Sequence, residues 1–164
     1  MIILGIDPGL ATMGWGVIRS EKGTLTLMDY GTITTLAKTP TPQRLRTIQI
    51  GVRDLIQLYK PQEIVFEELF FARNVTTAMS VGAARGAAIV AAAEHTENLY
   101  EYTPIQIKQA VVGYGRAEKR QVQQMVKILL HMDTIPTPDD AADGLAAAIT
   151  HAHSFHAKEL FKMK

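Results

Sequence analysis

The sequence predicts one α/β domain, a mixed sheet with helices packed against it. Three observations carry that prediction. An apolar run at 2–6 stops at Asp7-Pro8-Gly9, as a buried strand running into a turn does. Two strand-like segments follow, 14–19 and 24–34, and their separation by Glu21-Lys22-Gly23 reads as a hairpin. Beyond residue 40 the apolar spacing switches between helical and strand periods, giving helix, strand, helix, strand and helices in turn.

Within 24–34, Leu25 and Leu27 alternate with Thr24 and Thr26, the pattern of a half-exposed strand. Thr41-Pro42 reads as a helix start, a capping hydroxyl followed by proline in the first turn. Leu45, Ile48, Val52, Leu55 and Tyr59 then recur at spacings of three and four, so one helix face is buried, and Pro61 ends it. Ile64-Val65-Phe66 is a short buried strand leading into Glu67-Glu68. Asn74 is placed to cap a long helix reaching about residue 93, and 99–102 forms the fifth strand. Two last helices are expected, at about 117–131 and about 139–156. The domain is expected to occupy 1–157, with 158–164 as a short C-terminal tail.

Composition narrows the function. Of 164 residues, 47% are apolar and 20% charged, which suits a globular domain and argues against disorder. The longest unbroken stretch of small apolar residues, 86–93, is far short of the roughly 20 needed to span a bilayer, so no membrane role is expected. The apolar N-terminus lacks a basic leader and does not read as a signal peptide. With no cysteine there are no disulfides or thiolate metal sites, which is compatible with a cytoplasmic setting. Net charge is +1, so any contact with nucleic acid must use a local basic patch. Residues 104–131 supply one, with Lys108, Arg116, Lys119, Arg120 and Lys127 against Glu118 alone. Gly113 and Gly115 there would let backbone lie near phosphate, although a solvated helix face is the ordinary explanation of such a cluster.

The acidic residues suggest the chemistry. Asp7 ends the first buried strand, where α/β sheets place their sites; taken alone, Asp-Pro-Gly is more readily a turn. Period-two alternation allows only one of Glu67 and Glu68 to point the same way as Asp7. In Thr137-Pro138-Asp139-Asp140-Ala141-Ala142-Asp143, Thr137 reads as the cap, and acids in the first turn complement the helix dipole. Asp143 escapes that explanation. It stacks on Asp140 at i+3, on a helix otherwise made of small residues that pack closely, and two like charges there invite a cation. Carboxylates suit Mg²⁺, and four around one point can hold two ions that hydrolyse a phosphodiester by in-line attack.

Gly5-Ile6-Asp7-Pro8-Gly9, Phe66-Glu67 with Phe70-Phe71-Ala72-Arg73-Asn74, Lys108-Gln109-Ala110-Val111-Val112-Gly113, Ala117-Glu118-Lys119, and Asp140-Ala141-Ala142-Asp143 with Ile149-Thr150-His151 together resemble the RuvC family of Holliday-junction resolvases. The resemblance runs in order over about 2–156. It implies a ribonuclease-H-like fold, a homodimer, and Mg²⁺- or Mn²⁺-dependent paired cleavage of four-way DNA junctions. It also implies the RuvA–RuvB branch-migration complex as partner. Carried over by position, the catalytic and metal-binding acids are Asp7, Glu67, Asp140 and Asp143, selected over Glu68 and Asp139. DNA contacts are expected from Phe70, Arg73, Lys108, Arg116, Lys119 and Arg120, with Phe70 stacking on an unpaired base. Leu10 and Gly144 depart from the pattern, and Gly144 is expected to loosen the last helix by about 0.5–1 kcal/mol.

Several features stay open. The small residues of the helix after Asn74, Gly82 and Gly86 among them, suit core packing or a dimer seam equally. His151, His153 and His156 lack a third converging ligand and read as surface residues or as supports behind the acids. Two rival functions compete with the nuclease. An actin-like phosphotransferase is disfavoured by the chain's length, and a junction-binding module without chemistry is disfavoured by the four acids.

Overall fold

A computed structural model describes residues 1–69 and 75–164. Strands β1 (Ile2–Asp7), β2 (Thr12–Glu21), β3 (Thr24–Thr34), β4 (Glu63–Glu67) and β5 (Leu99–Tyr102) form a single sheet in the order β3-β2-β1-β4-β5. β1 pairs antiparallel with β2, and β2 with β3, whereas β1–β4 and β4–β5 are parallel. The β2–β3 turn is Lys22-Gly23, both at positive φ (49° and 83°), the two-residue geometry that matches strand twist.

Helices cover both faces. α1 (Thr41–Tyr59) and α2 (Val75–Ala93) pack on the face bearing Leu4, Ile6, Ile64 and Phe66. α3 (Pro104–Val112), α4 (Lys119–Leu129) and α5 (Asp139–His153) cover the face bearing Ile3, Val65, Tyr100 and Tyr102. α2 is long and apolar enough to cross a bilayer by length and composition. Here it covers the sheet: Ala84, Ala88, Ala91 and Ala92 are buried in the core, and Arg85 pairs with Glu101 of β5.

Two helix starts and one helix end differ from the sequence reading, and one helix is additional. α1 is capped by Pro40, whose carbonyl accepts from the Gln43 and Arg44 amides, so Thr41 lies inside the helix and does not cap it. α5 is capped by Pro138 and not by Thr137; the Pro138 carbonyl takes the Ala141 amide. That helix ends at His153, and a 3₁₀ segment, Phe155–Phe161, follows in place of further α-helix. α3 is an element that charge alone does not announce. Thr103 and Gln106 form a reciprocal capping box, Pro104 opens the first turn, and Gly113 at φ 100° closes the helix.

α5 rides directly on the sheet backbone. A Cβ at Gly14 of β2 would overlap the Asp140 carbonyl, and one at Gly144 would lie 2.7–2.8 Å from the Trp15 main chain. Gly144 therefore serves close approach, and the loosening expected from its helix propensity is offset by that contact. The 158–164 segment docks on the sheet edge: Lys162 bridges to Tyr100, and the Met163 amide donates to Leu99 O at 2.9 Å.

Candidate active site

The parallel register aligns Ile6 with Phe66, so Asp7 and Glu67 occupy the next positions side by side at the carboxyl ends of the two central strands. The first turn of α5 crosses the same end, because glycines beneath it remove the side chains that would hold it away. That brings Asp140 and Asp143 to Asp7 and Glu67. Alternation sends Glu68 elsewhere, to a hollow shared with Glu101 and Gln106. Asp139 is exposed, accepts from Gln123 Nε2 at 2.9 Å, and ties α4 to the start of α5.

The four acids act on each other electrostatically. Burial pushes the Asp7 carboxyl up to about 8, and the charges of Glu67, Asp143 and Asp140 add to the rise. Glu67 is pushed up to about 7, by burial first and then by Asp143. Burial also raises Asp143, against the pull of Lys119. Among the described residues no three acid, histidine or cysteine side chains close on one point as a finished metal cage. The donor set nevertheless fits a hard divalent cation. Its oxygens are held anionic only at a cost in mutual repulsion, and a 2+ charge relieves that cost.

Two lysines complete the cleft. Lys108 of α3 and Lys119, first residue of α4, line a cavity of about 250 Å³ with Glu67 and Asp143. Lys119 Nζ lies 3.0 Å from Asp143 Oδ2 and 3.6 Å from Asp139 Oδ2. Burial lowers the Lys119 ammonium, but its hydrogen bond to Asp143 and the surrounding acids outweigh that and hold it above the usual lysine value. On the other side of Asp140, a shallow hollow of about 480 Å³ is bordered by the Gly9–Thr12 turn, Arg44 and Ser80. Nothing in the sequence singles out Arg44, which reaches this edge only because α1 begins beside the β1–β2 turn.

The remaining expectations divide. Phe70 and Arg73, like the capping Asn74, lie outside the described residues. Arg116 and Arg120 are exposed, and Arg120 borders a separate concavity with Glu118 and Gln121, so neither joins the acids. For His151 the structure excludes one of the two readings, that of a surface residue: it is wholly buried, bound to Glu63 and Tyr102, because α5 turns that flank onto the sheet. His153 and His156 are exposed.

A five-stranded mixed sheet in this order, with acids ending its two central strands and more on the helix lying across them, defines the ribonuclease-H-like class. The family profile described as "Crossover junction endodeoxyribonuclease RuvC" matches residues 3–151. A relative of that name from Alkaliphilus metalliredigens is 57% identical over 164 residues, the whole of both chains. One from Rubrobacter xylanophilus is 56% identical over 153 residues, 93% of this chain and 86% of that one. The solved structure of Thermus thermophilus RuvC superposes with a TM-score of 0.88 at 36% identity, over 96% of each chain. T. thermophilus RuvC in complex with a Holliday junction substrate gives 0.87 at 34% identity, again over 96% of each. The chain belongs to the RuvC family of crossover junction endodeoxyribonucleases, a family of metal-dependent nucleases.

Proposed function

We propose that Asp7, Glu67, Asp140 and Asp143 are the catalytic centre with which this chain, a junction-resolving endonuclease of recombination and repair, hydrolyses paired strands of four-way (Holliday) junctions. The four acids hold two Mg²⁺ ions per subunit, with Mn²⁺ as a substitute. When bound, such ions activate the attacking water and stabilise the departing oxyanion. The chain's own residues do the rest. Lys108 and Lys119 line the mouth of the acidic cleft and take the phosphates flanking the scissile one, while Lys119 screens Asp143 until DNA arrives. Phe70, Arg73, Arg116 and Arg120 are the chain's further DNA contacts.

One observation carries this reading: Asp7 and Glu67 end the two central parallel strands side by side, and the first turn of α5 lays Asp140 and Asp143 against them, so that burial first and the neighbouring carboxylates second raise Asp7, as in an anionic cluster suited to a cation. The test is a synthetic four-way junction and its linear duplex control, each with Mg²⁺. Asp7→Asn, Glu67→Gln, Asp140→Asn and Asp143→Asn should each lower junction cleavage by orders of magnitude while binding persists. Glu68→Gln and Asp139→Asn should cleave almost normally. Normal cleavage by the Asp143 variant would refute the assignment.

Symmetric resolution needs two like sites, so the working unit is a homodimer. The outer face of α2 suits the seam: Val75, Met79 and Val90 are exposed there, and Gly86 has open space before it. Sedimentation at tens of micromolar, showing a monomer with and without junction DNA, would count against it. The RuvA–RuvB complex is the expected partner, the cytoplasm the setting, and 1–157 the nuclease domain with 158–164 as its tail.

A further inference from the structure

Toward the amino end of β4, away from the acids, a second polar cluster is buried, and Tyr102 reaches into it from the β5 position paired with Glu67. Glu63, first residue of β4, is 4% exposed, and His151 in the last turns of α5 is 0% exposed. His151 Nε2 lies 2.5 Å from Glu63 Oε2, and His151 Nδ1 lies 2.9 Å from the Tyr102 hydroxyl. Lys158, from the 3₁₀ segment, donates to the other Glu63 oxygen. The donors run one way. Lys158 and His151 Nε2–H give to the carboxylate, and the Tyr102 hydroxyl gives to Nδ1, so a neutral imidazole satisfies every group. Burial favours that neutral ring by lowering the His151 pKa. The ring is also held by aromatic contacts, 4.3 Å from the Tyr100 centroid and 5.9 Å from that of Tyr102.

Carboxylate, imidazole and hydroxyl in a row resemble a hydrolytic triad, but Tyr102 is 1% exposed and no substrate atom can reach it. The cluster's place in the fold suggests another task. Glu63 precedes Glu67 by four residues of strand, about 13 Å. His151 follows Asp143 by eight residues of helix, about 12 Å. The two spans match, so the pair joins β4 to α5 one site-length below the acids those same elements carry. Between pin and site the contact is made by small and apolar chains (Gly5, Gly144, Ala148), which set the height of α5 above the sheet. A hydrogen bond is directional, so it resists sliding and rotation of the helix as well as lift.

We propose that the buried Glu63–His151 hydrogen bond is a register pin, which fixes α5 lengthwise against β4 and thereby sets Asp140 and Asp143 relative to Glu67. His151 is on this account a positioning residue for the nuclease reaction, acting about two helical turns from the chemistry. The inference rests on the four acids being the catalytic centre.

The experiment compares His151→Phe, His151→Gln and the double variant Glu63→Leu/His151→Phe in the full-length protein, with Asp143→Asn alongside. Phe keeps the ring and loses both hydrogen bonds; Gln restores a donor near the Nε2 position; the double variant also removes the buried carboxylate, which His151→Phe leaves with Lys158 as its remaining partner. Readouts are single-turnover junction cleavage well below each melting temperature, Mn²⁺ affinity by calorimetry or electron paramagnetic resonance without DNA, and junction affinity in EDTA. His151→Phe should slow cleavage at least tenfold and weaken Mn²⁺ several-fold, leaving junction affinity within about twofold of the parent. His151→Gln should recover most of both. The double variant should regain thermal stability without regaining rate or Mn²⁺ affinity. A His151→Phe protein that melts earlier yet cleaves and binds Mn²⁺ as the parent does would overturn the pin, as would a double variant whose rate returns with its stability. If Asp143→Asn abolishes cleavage in the same series, such a failure falls on the pin alone. If Asp143→Asn cleaves normally, the catalytic reading falls and takes the pin with it.

Discussion

Replacing Asp7 with asparagine should stabilise the metal-free protein at pH 8 and not at pH 4. Burial and three neighbouring acids raise the Asp7 carboxyl from 3.8 to about 8. Between those two values the folded protein holds a proton that the unfolded chain has released. More protons bound in the folded state means that stability falls as pH rises, by about 1.36 kcal/mol per pH unit. Over the window from pH 4 to pH 8 the accumulated penalty reaches at most about 5 kcal/mol, a ceiling that water entry and relaxation of the cluster reduce. The Asp7→Asn variant carries no such penalty. Its amide brings its own cost of about 1–3 kcal/mol if left unpaired, but that cost does not change with pH. The clean quantity is therefore the difference between the two pH values. The variant-minus-parent stability, from urea unfolding in EDTA, should be at least about 2 kcal/mol more favourable at pH 8 than at pH 4. Addition of Mg²⁺ at pH 8 should narrow or reverse the order, because a cation bound only to the folded parent adds about 2.7 kcal/mol at a hundredfold excess over its dissociation constant. A gap equal at both pH values, or larger in acid, would show that burial and the neighbouring acids do not raise the Asp7 carboxyl.

Four further outcomes follow from the structure. His151, lowered from 6.5 by burial, binds its proton more readily in the unfolded chain, so the parent should lose stability as pH falls below 6.5; His151→Gln should flatten that acid limb by up to about 1.4 kcal/mol per pH unit in pH-dependent melts. Lys108→Ala and Lys119→Ala should each reduce the salt slope of junction binding by about one, read from titrations at several ionic strengths. Gly144→Ala should lower stability by about 1–3 kcal/mol, because a Cβ would press on the Trp15 main chain; a raised melting temperature would show that helix propensity governs the position instead. Asp139→Asn should cost about 1 kcal/mol or less and leave cleavage near normal, since an amide oxygen still accepts from Gln123.

The candidate acids are legible in the sequence in part from local patterns and in part from the family resemblance. Asp7 and Glu67 end apolar runs and Asp143 escapes the helix-dipole explanation that suffices for Asp139 and Asp140, whereas the choice of Glu67 over Glu68 and of Asp140 over Asp139 comes from the family resemblance. The five strands and α1 are legible because periodicity is local. Lys119 shows where local reading stops. Its charge is visible, but its place 3.0 Å from Asp143 follows from α3 and the turn at 113–118, which swing the start of α4 back over α5. The capping box of α3, Thr103 with Gln106, is a local signal too, but it lies in a stretch whose basic charge draws attention away from its caps.

Glu63 and His151 stand for what no local pattern carries. They are 88 residues apart, and each looks ordinary at its own position: an acid before a strand, a histidine near a helix end. Their meaning comes from the parallel pairing of β1 with β4 and from α5 lying across both strands. Gly144 makes the same point in the opposite direction. Judged by helix propensity it is a weakness, and judged by the Trp15 backbone beneath it an advantage, since a Cβ there would press on that backbone and shift the helix that carries two of the acids. A residue in this chain is best valued by the distance it sets between elements, and the acids at the carboxyl end of the sheet depend on two such settings: height from the glycines and register from the buried pair.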